Sequence, residues 1–292
     1  MGILKELNLT DWQTTPGPDA QTEATHALEQ EKIVYLPKLG FKLSPEESEL
    51  LSDSYQGLKA KNVSFDCRNN TLRGIQCDLA TQDKLISLLS RFNRAAHNLV
   101  NHLFPSYADA LEVARTSYRP IEVAGRKSPS YKKDDTRLHI DAFPSNPVQG
   151  KRILRVFTNI NPNEKPRLWH AGEDFSMVAK RFLPQIKKPF LSGKFLKSLG
   201  LTKSIRTPYD HIMLQIHDRM KADERYQEET KKIALELSAG ATWIVQTDCV
   251  SHAALSGQHL LEQTFYLPVD AMLNATRSPL RILEQLSGQP LL

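Results

Sequence analysis

The stretch Arg137–Asp141 reads RLHID and runs on into Ala142, Phe143 and Pro144. Side chains alternate between the two faces of a strand, so if Leu138 and Ile140 are turned to a core, His139 and Asp141 share the opposite face. An imidazole and a carboxylate then point at one spot, as two ligands of a single metal ion do. An isolated His-x-Asp is more often a solvated pair on a surface strand, so the surrounding chain has to decide between the two readings.

That surrounding chain is β-rich. After Thr116 the runs TSYRPIEVAG, TRLHIDAF, RILRVFTNI, ATWIVQT and LLEQTFYLP are separated by Pro, Gly and Asn, the pattern of short strands in a double-sheet sandwich or barrel. Upstream the signals are mixed. EKIVYLP alternates as a short strand, and Ser44-Pro45-Glu46-Glu47 offers an N-cap, a first-turn proline and a capping-box carboxylate, which predicts a helix to about Leu58. Leu85, Leu88, Leu89, Phe92, Ala95, Leu99 and Leu103 recur at steps of three and four, predicting a long amphipathic helix that Pro105 ends. The expected architecture is α+β. Residues 1–30 form a loosely held N-terminal arm with a short helix, and residues 31–280 a single catalytic domain. Within it, 31–115 is a mainly helical layer and 116–280 the sheet core, and 281–292 is a C-terminal tail.

The totals remove several classes of function. No apolar run in the 292 residues approaches the ~20 needed to cross a bilayer. The start MGILKELNLTDWQ lacks the charged and apolar segments of a secretory signal, so a cytoplasmic location is expected. Three cysteines without CxxC spacing argue against a disulfide framework or a cysteine zinc site. The net charge of +5 is modest, and helix-turn-helix, zinc-finger and basic-helix patterns are missing, which excludes a nucleic-acid partner. The charge is unevenly spread, however. From Phe175 to Tyr209 there are eight basic residues and no acidic one, interleaved with Phe182, Leu183, Phe190, Leu191, Phe195, Leu196, Leu199 and Leu201. This basic insertion, 175–209, has the composition of a surface for an anionic membrane or amphiphile.

A third ligand completes the opening pair. The run TWIVQT leads to His252 at a strand end, and two histidines with one carboxylate on one side of a metal form the facial triad of non-haem Fe(II) oxygenases. HxD on one strand and a distant histidine on a later one, within a double-stranded β-helix (jelly-roll, cupin-like), is the arrangement of the 2-oxoglutarate-dependent members. His97, His102, His170, His211 and His217 have no such context and read as non-ligands.

Three segments in order, TRLHIDAFPSNPVQGKRILRVFTNINP, YDHIMLQIHDRMKADERYQ and AGATWIVQTDCVSHAALSGQHLLEQTFYLP, resemble the Kdo hydroxylases, which modify the inner-core sugar of lipopolysaccharide. The resemblance covers roughly residues 110–270 and is weaker in the N-terminal helices. It implies an enzyme that uses Fe(II), 2-oxoglutarate and O2, with ascorbate as a supporting reductant, to hydroxylate C3 of Kdo in Kdo–lipid A, giving Ko during lipopolysaccharide biosynthesis. His139, Asp141 and His252 would hold the metal, leaving three positions for cosubstrate and O2. The partner would be the lipid-linked Kdo acceptor, met at the inner face of the inner membrane by a peripheral contact.

One departure from the wider superfamily matters. Many relatives carry an arginine beyond the distal histidine to hold the far carboxylate of 2-oxoglutarate, where this chain has Gln258, His259, Glu262 and Gln263. The strand after HxD carries Arg152 and Arg155, and alternation groups Arg155 with Phe157 and Asn159, so Arg155 is the expected anchor, assisted by His259. Arg126, Lys127 and Arg137, in the basic loop before HxD, are candidates for the anionic sugar, and His211 is a candidate substrate contact. Two other readings stay open: a hydroxylase of another substrate on this fold, such as a free amino acid or nucleobase, and a non-catalytic cupin-like protein that binds an anionic glycolipid.

Overall fold

The computed structural model describes residues 2–51, 61–187 and 193–292. In chain order, β1 (Leu4–Glu6), α1 (Pro18–Glu29) and β2 (Ile33–Leu36) precede α2 (Pro45–Ser48), β3 (Val63–Asp66), β4 (Thr71–Arg73) and the long α3 (Leu79–Leu103). β5 (Glu112–Arg119), β6 (Arg152–Asn159) and β7 (Arg167–Ala171) lead to α4 (Phe175–Phe182), α5 (Gly193–Ser198), α6 (Pro208–Ala222) and α7 (Glu224–Glu229). β8 (Ile233–Leu237), β9 (Thr242–Gln246), β10 (His252–Ser256), β11 (Leu260–Leu267) and α8 (Pro279–Ser287) follow.

The large sheet has the order β1-β2-β9-β6-β11-β5-β3-β4 and the small one β10-β7-β8. Among the described residues, only the β1–β2 pair is parallel. Alternation gives each large-sheet strand two jobs. On the outer face, α3 buries Leu85, Leu88, Leu89, Phe92, Leu99 and Leu103, and Asn93 donates to Gln263 Oε1 at 2.9 Å. On the inner face, Phe157 of β6 meets Trp169 of β7 edge-on, with ring centroids 5.3 Å apart, and stacks on Trp243 of β9 at 5.4 Å. These aromatics fasten the small sheet to the large one, giving a double-stranded β-helix flanked by helices.

Local chemistry sets the helix ends. Ser44 and Glu47 form the capping box expected of them, but α2 gives way after Ser48 to a 3₁₀ turn at Glu49–Leu51. The rest of the helix expected to Leu58 lies outside the described residues, as do Lys188, Phe190 and Leu191 of the basic insertion. Asp78 caps α3 by accepting from the Thr81 amide at 2.7 Å, and the helix stops before Pro105 as its sequence predicts.

Three expectations need correction. The first thirty residues are not a loose arm: β1 pairs with β2, and α1 buries Ala24, Ala27 and Leu28. Buried Glu29 accepts from Tyr107 Oη at 2.7 Å and from the Leu273 and Asn274 amides. The 31–115 layer is not mainly helical, because it also supplies β2, β3 and β4 to the large sheet. The segment 281–292 is no tail, since Leu283 and Leu291 are buried and the Leu291 carbonyl accepts from the Tyr209 amide.

RLHID itself departs from a regular strand. His139 and His252 exchange both backbone hydrogen bonds, at 3.0 and 2.9 Å, and the ladder ends after that single rung. The Leu138 amide is taken by Gln227 Oε1 at 2.8 Å and the Asp141 amide by the Thr247 carbonyl at 2.7 Å. The alternation nevertheless survives: Leu138 and Ile140 are buried in the core, and His139 and Asp141 face the other way.

Candidate metal centre

The ligand atoms of His139, Asp141 and His252 all lie within 4.8 Å of one another. The single rung between His139 and His252 brings their ring centroids to 4.6 Å. Each imidazole donates Nδ1–H to the carbonyl two residues upstream, His139 to Arg137 at 2.7 Å and His252 to Val250 at 2.8 Å. That bond fixes the tautomer and leaves the Nε2 lone pair aimed at the centre. Trp169 stacks on His252 at 5.3 Å, and His217 of α6 meets His139 edge-on at 5.5 Å.

Protonation states also suit a divalent ion. Burial, with each other's proximity and Lys221, holds His139 well below the usual imidazole range, and burial lowers His252. Burial opposes ionisation of Asp141, yet Arg155 and the two histidines hold its carboxyl below the ordinary range. Two neutral imidazoles and one carboxylate are the donor set that a facial Fe(II) site requires.

Around the triad the inner face is charged. Arg155 Nη2 is 3.2 Å from Asp141 Oδ2 and its Nη1 is 3.0 Å from Glu262 Oε1. Glu262 also accepts from Arg119 Nε at 2.7 Å. Arg152 points to the opposite side, in a buried pair with Asp248 at 2.7 Å, so of the two β6 arginines Arg155 is the one turned to the triad.

Arg167, two residues from Trp169 on β7, is a buried cation with no carboxylate within ion-pair distance among the described residues. Its Nη1 donates to the Gly257 carbonyl at 3.0 Å, its Nε has no partner, and burial and Arg119 push its pKa down to about 9. A Cβ on Gly257 would come within 2.8 Å of Arg167 Cγ, so only glycine lets the arginine lie there. Arg155 Nε, Trp169 Nε1 and Trp243 Nε1, all donors, likewise lack hydrogen-bond partners among the described residues. Buried polar atoms are normally satisfied. A cluster of unsatisfied ones beside three metal ligands fits a polar, anionic cosubstrate.

The chain matches the family profile described as 3-deoxy-D-manno-oct-2-ulosonic acid (Kdo) hydroxylase over residues 11–290. It belongs to the Kdo hydroxylase family. Solved structures agree. The Kdo hydroxylase KdoO, a non-haem Fe(II) α-ketoglutarate-dependent dioxygenase in complex with cobalt(II), is 42% identical with a TM-score of 0.96, covering 99% of this chain and 97% of that one. The same protein with α-ketoglutarate and Fe(III), and with succinate and Fe(III), is 41% identical with a TM-score of 0.94 in each case, at the same coverage. No curated protein sequence matches the chain significantly.

Membership of the Kdo hydroxylase family sharpens the account of the remaining candidates. His259 does not reach the triad. Its Nδ1 lies 2.7 Å from Tyr118 Oη and its ring stacks on Tyr118, on the helix-covered face of the large sheet. His211 is also turned away, its Nε2 donating at 2.7 Å to the Lys187 carbonyl, beside an apolar groove of about 780 Å³. Six residues on, about 240° around the helix, His217 is the α6 histidine that meets the metal ligands. Lys221, one turn further along that face, is buried, with Nζ donating to the Lys132 carbonyl at 3.1 Å.

In the basic loop, Arg126 pairs with Asp135 at 2.8 Å and Arg137 with Glu224 at 2.8 Å, so both are held by internal carboxylates, while Lys127 is exposed. The sequence reading missed Arg119, Arg167, His217, Lys221 and Glu262. For Arg167 a signal existed: RLWHA alternates, and the arginine shares the parity of an inward tryptophan.

Proposed function

We propose that this chain is an Fe(II)- and 2-oxoglutarate-dependent dioxygenase acting on Kdo, with the C3 position of the Kdo in Kdo–lipid A as its target and Ko as its product. The observation that carries the reading is the His139, Asp141 and His252 cluster, three ligand atoms within 4.8 Å in the protonation states a divalent ion needs. When bound, iron with 2-oxoglutarate and O2 supplies the oxidising chemistry that converts a C–H bond to C–OH, the cosubstrate leaving as succinate and CO2.

The chain's own residues would do the rest. His139, Asp141 and His252 hold the metal, and Arg155 steadies the Asp141 oxygen that is not needed for coordination. Arg155 and Arg167 bind the cosubstrate, with Arg167, the buried cation that lacks a carboxylate, taking the far one. Phe157, Trp169 and Trp243 keep that interior dry, which strengthens each charge-assisted hydrogen bond. Positioning the substrate carbon beside the metal is the remaining task.

Among the described residues, no helix is long and apolar enough to cross a membrane. For a lipid-linked acceptor we propose a peripheral contact at the cytoplasmic face of the inner membrane. It is supported by Met177, Phe195, Leu199 and Leu201, each about half exposed, among the lysines of α4 and α5. Mass spectrometry of lipopolysaccharide sugars with and without the protein tests the whole reading. One added oxygen on Kdo, with metal-dependent succinate release, is the expected result. Succinate without a modified Kdo would point to another substrate, and neither product to a non-catalytic glycolipid-binding protein.

A further inference from the structure

Beyond the triad, a cleft of about 1020 Å³ opens over the part of the inner sheet face formed by β5 and β11. Its deep end is Arg155, whose guanidinium carbon is 5.5 Å from the centre of the Phe143 ring, two residues from Asp141. Seven cationic side chains line it against two carboxylates, Glu112 and Glu262. Both carboxylates are already paired, Glu112 with Lys151 at 2.5 Å and Glu262 with Arg119 and Arg155. Arg68, at the rim, is held by Asp66 at 2.9 Å.

Three cations remain: Arg73 of β4, Arg115 of β5 and Lys203. None has a carboxylate within ion-pair distance among the described residues. Arg115 Nη1 donates to Ser64 Oγ at 3.2 Å, and the backbone of Lys203 is tied to the Ser145 carbonyl at 3.0 Å. Burial, then Arg115 and Arg73, lower the pKa of Lys203, and Asp66, already held by Arg68, opposes them more weakly. Like charges gathered in one cleft with no carboxylate paired to them form an anion site.

We propose that Arg73, Arg115 and Lys203 form a subsite at the mouth of this cleft for a phosphate monoester on the acceptor unit next to the sugar that is hydroxylated. The inference rests on the hydroxylase reading and adds a second recognition point to it. Arg115 and Arg119 share the inner face four residues apart, about 13 Å along the strand, more than the width of one sugar ring. The anion therefore belongs to a neighbouring unit. A dianionic phosphate answers three cations better than a carboxylate does, and two guanidinium forks suit its oxygens.

The test uses full-length, iron-loaded protein and lipid-free acceptors: Kdo on a phosphorylated glucosamine disaccharide, the same compound without phosphate, and a phosphate-free Kdo–Kdo disaccharide glycoside. The wild type should favour the phosphorylated acceptor by ~10–100-fold in KM, with kcat changed far less. In Arg115→Ala and in the Arg73→Glu, Lys203→Glu double variant that preference should fall to about threefold or less. Anaerobic Kd values should follow the same pattern. An equal KM for the phosphorylated and phosphate-free acceptors in the wild type, or a preference that survives in both variants, overturns the subsite. A Kdo–Kdo glycoside that matches the phosphorylated acceptor also overturns it, in favour of a carboxylate. Hydroxylation of none of the three by the wild type removes the parent reading as well, and so separates the two failures.

Discussion

Replacing Arg167 by methionine tests how the cosubstrate is held. The guanidinium is buried and, among the described residues, donates to the Gly257 carbonyl through Nη1 and has no carboxylate within ion-pair distance. A bidentate, charge-assisted contact to a carboxylate in a dry site is worth ~1.5–3 kcal/mol, and 1.4 kcal/mol is a factor of ten, so Arg167→Met should raise the 2-oxoglutarate KM about ten- to a hundredfold. Methionine fills a similar volume and removes a buried charge that lacks a counterion. The cosubstrate-free variant should therefore melt no lower than the wild type. The wild type, in contrast, should gain ~2.7 kcal/mol of stability at 2-oxoglutarate concentrations of 100 Kd, and the variant should lose most of that gain at the same concentration. Steady-state succinate release and thermal melts with and without 2-oxoglutarate measure both effects. An Arg167→Met enzyme with an ordinary KM refutes the assignment. Arg155→Met is the informative partner: because Arg155 also contacts Asp141, its loss should weaken metal binding together with cosubstrate binding, whereas Arg167→Met should leave metal affinity alone.

His139→Ala, Asp141→Ala and His252→Ala should each abolish the visible charge-transfer band of the anaerobic Fe(II)–2-oxoglutarate complex while circular dichroism stays native. Full succinate production without His252 would disprove the triad. Because burial lowers both histidines, the unfolded chain binds more protons than the native one as pH falls through ~6.5, so this share of the stability of the metal-free protein is complete above that value and lost below it. Melts between pH 5 and 8 on wild type and a His252→Gln variant check the sign, since the variant's curve should be flatter. Neutralising Lys187, Lys194 and Lys197 should weaken binding to anionic liposomes, and wild-type binding should fall with salt. Salt-independent binding, or none, would leave that surface as an ordinary solvated face.

The parts of the fold that rest on local chemistry were legible in the sequence. The capping box at Ser44, the stripe of α3 and the parity of Arg155 depend on residues within one element, and each is seen in the structure. RLHID failed as a regular strand because its amides go to Gln227 and Thr247, partners that no local pattern reveals. The polar, turn-rich start with its Pro-Gly-Pro reads as a loose arm with a short helix, because the apolar stripe that docks α1 is only Ala24, Ala27 and Leu28. His259 was a different kind of error. Alternation along β11 sets it opposite Glu262 in parity, on the outer face, where Tyr118 holds it. His211 fell to helical period in the same way, with His217 on the face that meets the metal ligands.

Glu262 puts a carboxylate on the inner face beside the triad, and the neighbouring arginines offset it. A carboxylate at this point on β11 would repel an organic diacid, but it is gripped from both sides by Arg119 and Arg155, on the neighbouring strands β5 and β6. Burial alone would raise its pKa, and the two guanidinium groups lower it instead. Arg119 and Arg155 are paired with Glu262 and Asp141, whereas Arg167, on the opposite sheet, and Lys221 are buried cations without an ion-pair partner among the described residues. A divalent cation and a dianionic cosubstrate together add no net charge to this arrangement, whereas either one alone shifts it by two units in an interior with little water to screen it. The arrangement therefore favours the two bound together over either alone. It does so with arginines on three different strands in place of one arginine after the distal histidine, which is why inspecting that single position could not find the anchor.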